Sequence, residues 1–234
     1  MLLPLTKRKL NNENELLERC RLIEGLSFAQ LANALQIKIP AEQQRRKGWT
    51  GLAIELALGT TAGTKSAPDF SALGIELKSV PLNDKGKPAE STFVTSIPLL
   101  TIHQQNWQSS QCFAKLKRVL WLPIEGDNKI TFEHRRIGQG FLWSPNQAEE
   151  AILADDWSEL TTMISTGHLE EIHAGIGQYL QVRPKAANAK SLCYGFDSEG
   201  TKVLTLPRGF YLRSCFTEQI IAANLYRGIQ QEES

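Results

Sequence analysis

The chain has 234 residues, of which 41% are apolar and 22% charged, with a formal net charge of +1. That composition is ordinary for a soluble globular protein, sized for one large domain or two lobes. It excludes a polycation, a disordered polyelectrolyte and, because no run of about 18 uncharged apolar residues occurs, a transmembrane helix.

In chain order, residues 13–24 have helical spacing, with Leu16, Leu17, Cys20 and Ile23 on one face. Ser27 and Gln30 fit a capping box at the start of a second helix, and Pro40 closes that region. A third helix is predicted from Lys47 to Leu58, with Gly59 as its stop, followed by a loop over 60–68. Strands are predicted at 74–80, 92–100 and 118–124 (the run RVLWLPI, expected in the centre of a sheet), and at 141–143. Ser144-Pro145-Asn146 opens an amphipathic helix to Thr166, ended by Gly167. Strands follow at 179–183, 203–206 and 209–213, and Thr217 starts a last helix with Ile220, Ile221 and Leu225. Helices, then strands, then mixed elements indicate α/β with a mixed sheet flanked by helices.

The charged residues cluster. Basic groups stand at 45–47, 115–118, 134–136 and 183–185, and acids gather in EEAILADDWSEL over 149–160. This describes a bipolar molecule with one face suited to phosphate, although a solvated face is the better reading for any single cluster. Cys20, Cys112, Cys193 and Cys215 form no CxxC pair, the four histidines show no metal spacing, and neither set indicates zinc or a disulfide framework. The N-terminal MLLPLTKRKL lacks the order of a signal peptide, so a cytoplasmic location is expected.

The stretch DFSALGIELKSVP, residues 69–81, carries the chemistry. On a strand, residues two apart share a face, so Glu76 and Lys78 point one way while Ile75 and Leu77 point into the core. A bend at Gly74 would bring Asp69 alongside Glu76. Two adjacent carboxylates repel unless a cation lies between them, and a hard divalent ion such as Mg²⁺ suits oxygen ligands. The lysine beside them can orient a water or stabilise phosphate charge. D-x6-E-x-K is the pattern of metal-dependent phosphodiester cleavage, yet on spacing alone a solvated Glu–Lys pair is favoured. Glu55 is the single charge in the helix GWTGLAIELALG, whose apolar surround predicts burial. It either joins Asp69 and Glu76 at a metal or pairs with a core lysine or arginine. GTTAGTKS, residues 59–66, is not a phosphate loop: Thr64 separates Gly63 from Lys65, and the segment follows a helix.

Longer stretches, KGWTGLAIELALGTTAGTKSAPDFSALGIELKSVP, KLKRVLWLPIEG, QVRPKAANAK, TLPRGFYLRSCF and DDWSELTTMISTG, together resemble the MutH family, the strand-nicking endonucleases of methyl-directed DNA mismatch repair. The resemblance spans residues 16–225. It implies a restriction-endonuclease-like fold, one domain over 1–234 with two lobes around a DNA-binding cleft, residues 1–12 being a flexible N-terminus. It implies a monomeric endonuclease that nicks the unmethylated strand of hemimethylated GATC, 5′ of the guanine, and is activated by MutL, itself recruited by MutS. The cofactor implied is Mg²⁺, with Mn²⁺ or Ca²⁺ fitting the same site. Asp69, Glu76 and Lys78 match the family's catalytic acid, acid and lysine, and Glu55 its additional acid; Asp69, Glu76 and Glu55 would hold the metal. Lys47 and Gly48 of the KGW motif, Phe93, Lys115, the loop Arg183-Pro184-Lys185, and Tyr211 match DNA-facing positions, Tyr211 the one that senses adenine methylation. The rival readings are a GATC-specific restriction endonuclease and a non-catalytic methylation reader.

Overall fold

The computed structural model describes residues 10–60, 66–185 and 191–231, with side chains as far as residue 224. In chain order the elements are α1 (Glu13–Ile23), α2 (Phe28–Leu35), α3 (Gln43–Leu58), β1 (Glu76–Leu82), β2 (Thr92–Ser96), α4 (Gln111–Leu116), β3 (Val119–Glu125), β4 (Phe141–Trp143), α5 (Gln147–Ser165), β5 (Leu180–Pro184), β6 (Cys193–Phe196), β7 (Lys202–Thr205), β8 (Arg208–Leu212) and α6 (Ser214–Gln231). The chain is thus mixed α/β. It divides into two compact units, Met1–Glu90 with Arg118–Trp143 and Ser91–Lys117 with Ser144–Ser234.

In the first unit β3 lies between β1, its parallel neighbour, and β4, its antiparallel one. Val119 to Ile124 are all buried, as a central strand requires. The helices close the core from α1, α2 and α3 through Leu16, Ile23, Phe28, Leu31, Ile54 and Leu58. The predicted capping box forms at α2: the Ser27 hydroxyl accepts from the Gln30 N–H, and the Gln30 side chain accepts from the Ser27 N–H. Residues 1–9 of the expected flexible N-terminus lie outside the described residues. Leu10, Asn11 and Asn12 are instead built into the fold: Leu10 is buried, Asn11 bonds to Glu15, and Asn12 caps α1.

Two expectations about α3 are corrected. The helix starts at Gln43, so Arg45, Arg46 and Lys47 are helical residues. It is not buried all round: Trp49, Ala53, Ile54, Ala57 and Leu58 face the core, while Leu52 and Leu56 are 52% and 41% exposed. An all-apolar pattern states that a helix is greasy but not which face is covered.

The second unit holds an antiparallel sheet in the order β2-β8-β5 and a two-stranded β6-β7 hairpin. Asn146 caps α5 in a capping box with Glu149. Beyond its end, Gly167 has φ +81°, and a Cβ there would lie 1.9 Å from the Asp197 carbonyl oxygen, so only glycine fits. The second predicted strand stops at Ser96, two residues before Pro98. The six-residue α4 and the strand β6 were not foreseen. Among the described residues, no helix is long and apolar enough to cross a membrane.

Candidate active site and DNA-facing residues

The acid–acid–lysine pattern is assembled by one tight turn. Phe70 and Ile75 exchange backbone hydrogen bonds across it, and Gly74 reverses the chain at φ +68°. This returns Asp69 to the outer edge of β1, where its Oδ2 accepts from the Leu77 N–H at 2.8 Å. The neighbouring Glu76 N–H points the opposite way, to the Arg118 carbonyl. Alternate strand amides face opposite edges, so the carboxylate of Asp69 occupies the edge of β1 that has no strand among the described residues.

Glu76 and Lys78 share a face of β1, as expected, but that face is not solvated. Glu76 is 3% exposed, and the Lys78 Nζ lies 2.7 Å from its Oε1 with the lysine side chain 11% exposed. The solvated-pair reading is overturned: Glu76 is buried and Lys78 largely so, on a strand that pairs in parallel with the buried β3.

Glu55 projects from α3 as a half-buried carboxyl. Burial first, then the negative charges of Asp69 and Glu76, push its pKa above the ordinary carboxyl value. Among the described residues no lysine or arginine pairs with it, so the alternative of a core ion pair finds no partner there. Three carboxylates from α3, the turn and β1 therefore share one electrostatic neighbourhood. As they stand they are not a ready cage: among the described residues no group of three or more His, Cys, Asp or Glu is disposed to hold a metal. The donor set still fits Mg²⁺, which is commonly held by one or two carboxylates and keeps several waters.

The raised pKa of Glu55 has a definite sign. The unfolded carboxyl ionises first as pH rises, so the stability present below the ordinary carboxyl value is lost as pH climbs through the raised folded value. Burial is the larger cause of this loss, and a divalent cation offsets the part that comes from the charges of Asp69 and Glu76. Millimolar Mg²⁺ is expected to raise the melting temperature by about 2–4 °C at pH 8 and by much less at pH 5. Differential scanning calorimetry at both pH values, with Glu55→Gln flattening the difference, checks it.

Lys47 and Gly48 lie about two turns of α3 before Glu55. Lys47 makes a 2.6 Å ion pair with Glu90, but its side chain is 81% exposed. Such a pair is weak and readily exchanged for a phosphate. A Cβ on Gly48 would meet nothing within 4 Å, so the protein's own packing does not demand glycine there. Lys47 lines a groove of about 720 Å³ with Arg46, Ser79, Phe132 and Arg135.

The other basic clusters are largely spent on structure. Arg118 pairs with Glu13 and holds its carboxyl below the usual range, chiefly through their hydrogen bond. Arg136 donates to the Gly25 carbonyl, and Arg46 reaches Glu133.

In the second unit, Phe93, Tyr211 and Gln181 stand in register across β2, β8 and β5. Arg183, two residues beyond Gln181 and opposite Gly209, shares their face, while Leu180, Val182, Phe210 and Leu212 fill the buried one. The Phe93 ring packs edge-on to Tyr211, with centroids 5.3 Å apart, and Lys185 Nζ sits 3.3 Å above the Phe93 ring. Gly209 makes this possible, since a Cβ would come within 2.9 Å of the Phe93 ring. Arg183 donates to the Ser91 hydroxyl at 2.8 Å, and Arg183, Pro184 and Lys185 are all exposed. Tyr211 is thus half-buried beside cations rather than a core aromatic. The expected loop Arg183-Pro184-Lys185 is corrected in part: Arg183 and Pro184 are the last residues of strand β5, and Lys185 follows it. Lys115 is buried on α4, whose N-cap is Ser110.

Sequence reasoning missed Asp156, which it assigned to an acidic face. It is 6% exposed and accepts three backbone N–H groups. The signal was available, since Asp156 stands three residues after Leu153 and next to Trp157 on the buried stripe of α5.

A mixed α/β chain whose buried strand acid and lysine adjoin a crowded carboxylate trio falls in the class of DNA repair enzymes, for the family profile described as DNA mismatch repair enzyme MutH matches residues 58–156. That stretch includes Asp69, Glu76, Lys78, Phe93 and Lys115. Over 210 residues the chain is 49% identical to the DNA mismatch repair protein MutH of Vibrio campbellii, covering 90% of this chain and 93% of the relative. It is 47% identical to that of Pasteurella multocida over 209 residues, 89% and 94% of the two chains. With that of Serratia proteamaculans it shares 46% identity over 215 residues, 92% and 94%. The chain belongs to the MutH family.

Proposed function

We propose that this chain is a Mg²⁺-dependent DNA endonuclease that nicks the unmethylated strand of hemimethylated GATC, 5′ of the guanine, as a monomer in the cytoplasm. The reading includes activation by MutL, recruited in turn by MutS, and a duplex gripped in the restriction-endonuclease manner. The observation that carries it is the convergence of Glu55, Asp69 and Glu76, with Lys78 bonded to the innermost acid.

Asp69 and Glu76 would hold the ion, with Glu55 contributing a third carboxylate. When bound, Mg²⁺ supplies Lewis-acid stabilisation of the charge that develops on the phosphate. The chain's own residues do the positioning. The Leu77 N–H fixes one oxygen of Asp69. Lys78, anchored on Glu76, presents an ammonium in a site of low solvent access, where hydrogen bonds to a water or a phosphate oxygen gain strength. Hydrolysis forms a bond from the water oxygen to phosphorus and breaks one bridging P–O bond.

Base reading falls to Arg183, Lys185 and Tyr211, with Phe93, Lys47, Gly48, Pro184 and Lys115 supporting the DNA contact. Arginine and lysine suit guanine O6 and N7, and phosphate contacts set register. A methyl on adenine N6 would crowd a close-packed tyrosine, so discrimination is by clash as much as by attraction. Tyr211→Ser is expected to reduce the preference for unmethylated over methylated strands by about tenfold, with overall nicking preserved. Competition cleavage of the two substrates measures the ratio, and an unchanged ratio removes Tyr211 from methylation sensing.

The deciding experiment is strand-resolved cleavage of a duplex bearing one hemimethylated GATC, with Mg²⁺, with and without MutL and ATP. A nick confined to the unmethylated strand and enhanced by MutL supports the proposal. Cutting of both strands regardless of MutL favours a restriction enzyme, and binding without cleavage favours a methylation reader.

A further inference from the structure

β5 carries Arg183 and leads into Lys185, yet among the described residues it is an edge strand, with β8 on one side only. A one-residue slip against β8 would turn Arg183 to the buried face and bring Val182 out. The start of β5 is where that slip is blocked. The amides of Gln178, Tyr179 and Leu180 converge on the Asp156 carboxylate at 2.7, 2.6 and 2.8 Å. Gly177 makes the convergence possible at φ +80°, where a Cβ would lie 2.1 Å from the Leu180 carbonyl oxygen.

The remaining partners of the segment tighten it further. The Arg213 amide donates to the Tyr179 carbonyl, and its guanidinium donates to the Ala174 and Ile176 carbonyls. The Tyr179 ring stacks on Phe216 with centroids 3.8 Å apart. A leucine at position 156 would satisfy the apolar stripe of α5 equally well. The carboxylate does something a leucine cannot, because it fixes three successive amides to one point.

We propose that Asp156 is a specificity-positioning residue: its three-amide clamp locks the register of β5 and so sets where Arg183 and Lys185 meet the bases. This rests on the reading of those two residues as base-facing. Asp156 itself touches no DNA, and it acts through the strand. Sequence-independent binding, which depends on charge near phosphates, is unaffected by a small loss of register, whereas hydrogen bonding to base edges is not.

The test uses the full chain and two duplexes, one with a single GATC and one with those four bases scrambled, in Ca²⁺. Fluorescence anisotropy gives both dissociation constants for wild type, Asp156→Asn and Arg183→Ala. An asparagine keeps the volume but replaces one accepting oxygen by a donor, so at least one amide is left opposed. The expected result is a fall of about tenfold in the ratio of scrambled to GATC dissociation constants for Asp156→Asn, with scrambled binding unchanged and a cooperative melt retained. A folded Asp156→Asn protein that keeps the wild-type ratio, or loses affinity for both duplexes equally, overturns the proposal. If wild type shows no GATC preference, the base-reading assignment itself fails, and that failure is visible without any variant. Should Asp156→Asn not fold, hydrogen exchange on wild type decides. GATC is expected to slow exchange at residues 178–184 where the scrambled duplex does not, and equal protection by both overturns the lock.

Discussion

Replacing Lys78 by alanine is expected to slow Mg²⁺-dependent nicking by about a thousandfold while leaving the dissociation constant for GATC duplex in Ca²⁺ within about twofold. The two readouts separate because Lys78 is 11% exposed and is engaged with Glu76 rather than displayed at a phosphate-binding surface. Its ammonium can matter only to a group brought into the carboxylate neighbourhood. Single-turnover cleavage and anisotropy on the same preparation measure both quantities. Nicking at the wild-type rate would remove Lys78 from the mechanism, and a parallel loss of binding would make it a DNA-anchoring residue instead.

Glu76→Ala is expected to be the more damaging change, because it strikes stability and chemistry together. Glu76 is almost fully buried beside Lys78, so its removal leaves a poorly solvated ammonium with a lost partner. The expected destabilisation is about 3 kcal/mol, read as a shift in the urea midpoint. The double variant Glu76→Ala/Lys78→Met removes both charges and is expected to recover most of that loss, since a buried pair replaced by apolar groups is commonly near neutral. Cleavage stays abolished in both. Full stability in Glu76→Ala alone would show that water reaches this site more freely than the burial implies.

Much of the first unit was legible because its signals are local. Alternation placed Glu76 and Lys78 on one face, Gly74 marked the reversal that returns Asp69, and Ser27, Gln30 and Gly59 marked helix ends. Burial was not legible in the same way. The apolar run around Glu55 was read as covered on all sides, whereas Leu52 and Leu56 are exposed, because uniform hydrophobicity carries no direction. The short α4 and β6 offer too few residues for periodicity to register. The cluster of Phe93, Lys185 and Tyr211 depends on β2 pairing with β8, which lies far along the chain, and no window of sequence contains that pairing. Resemblance chose those residues one by one; the register of β2, β8 and β5 is what makes them neighbours.

The division of the chain has a consequence for its synthesis. Each unit is made of two stretches, so the polypeptide passes from one to the other at 90–91, 117–118 and 143–144. When β1 leaves the ribosome its parallel partner β3 has not yet been made, and the intervening residues 91–117 belong to the other unit. The sheet holding Glu76 therefore cannot close until residues 119–125 emerge, and it gains β4 only with residue 143. No single truncation point yields either unit alone, and a nascent chain stopped anywhere before residue 143 carries Asp69 and Glu76 on a sheet that is still incomplete.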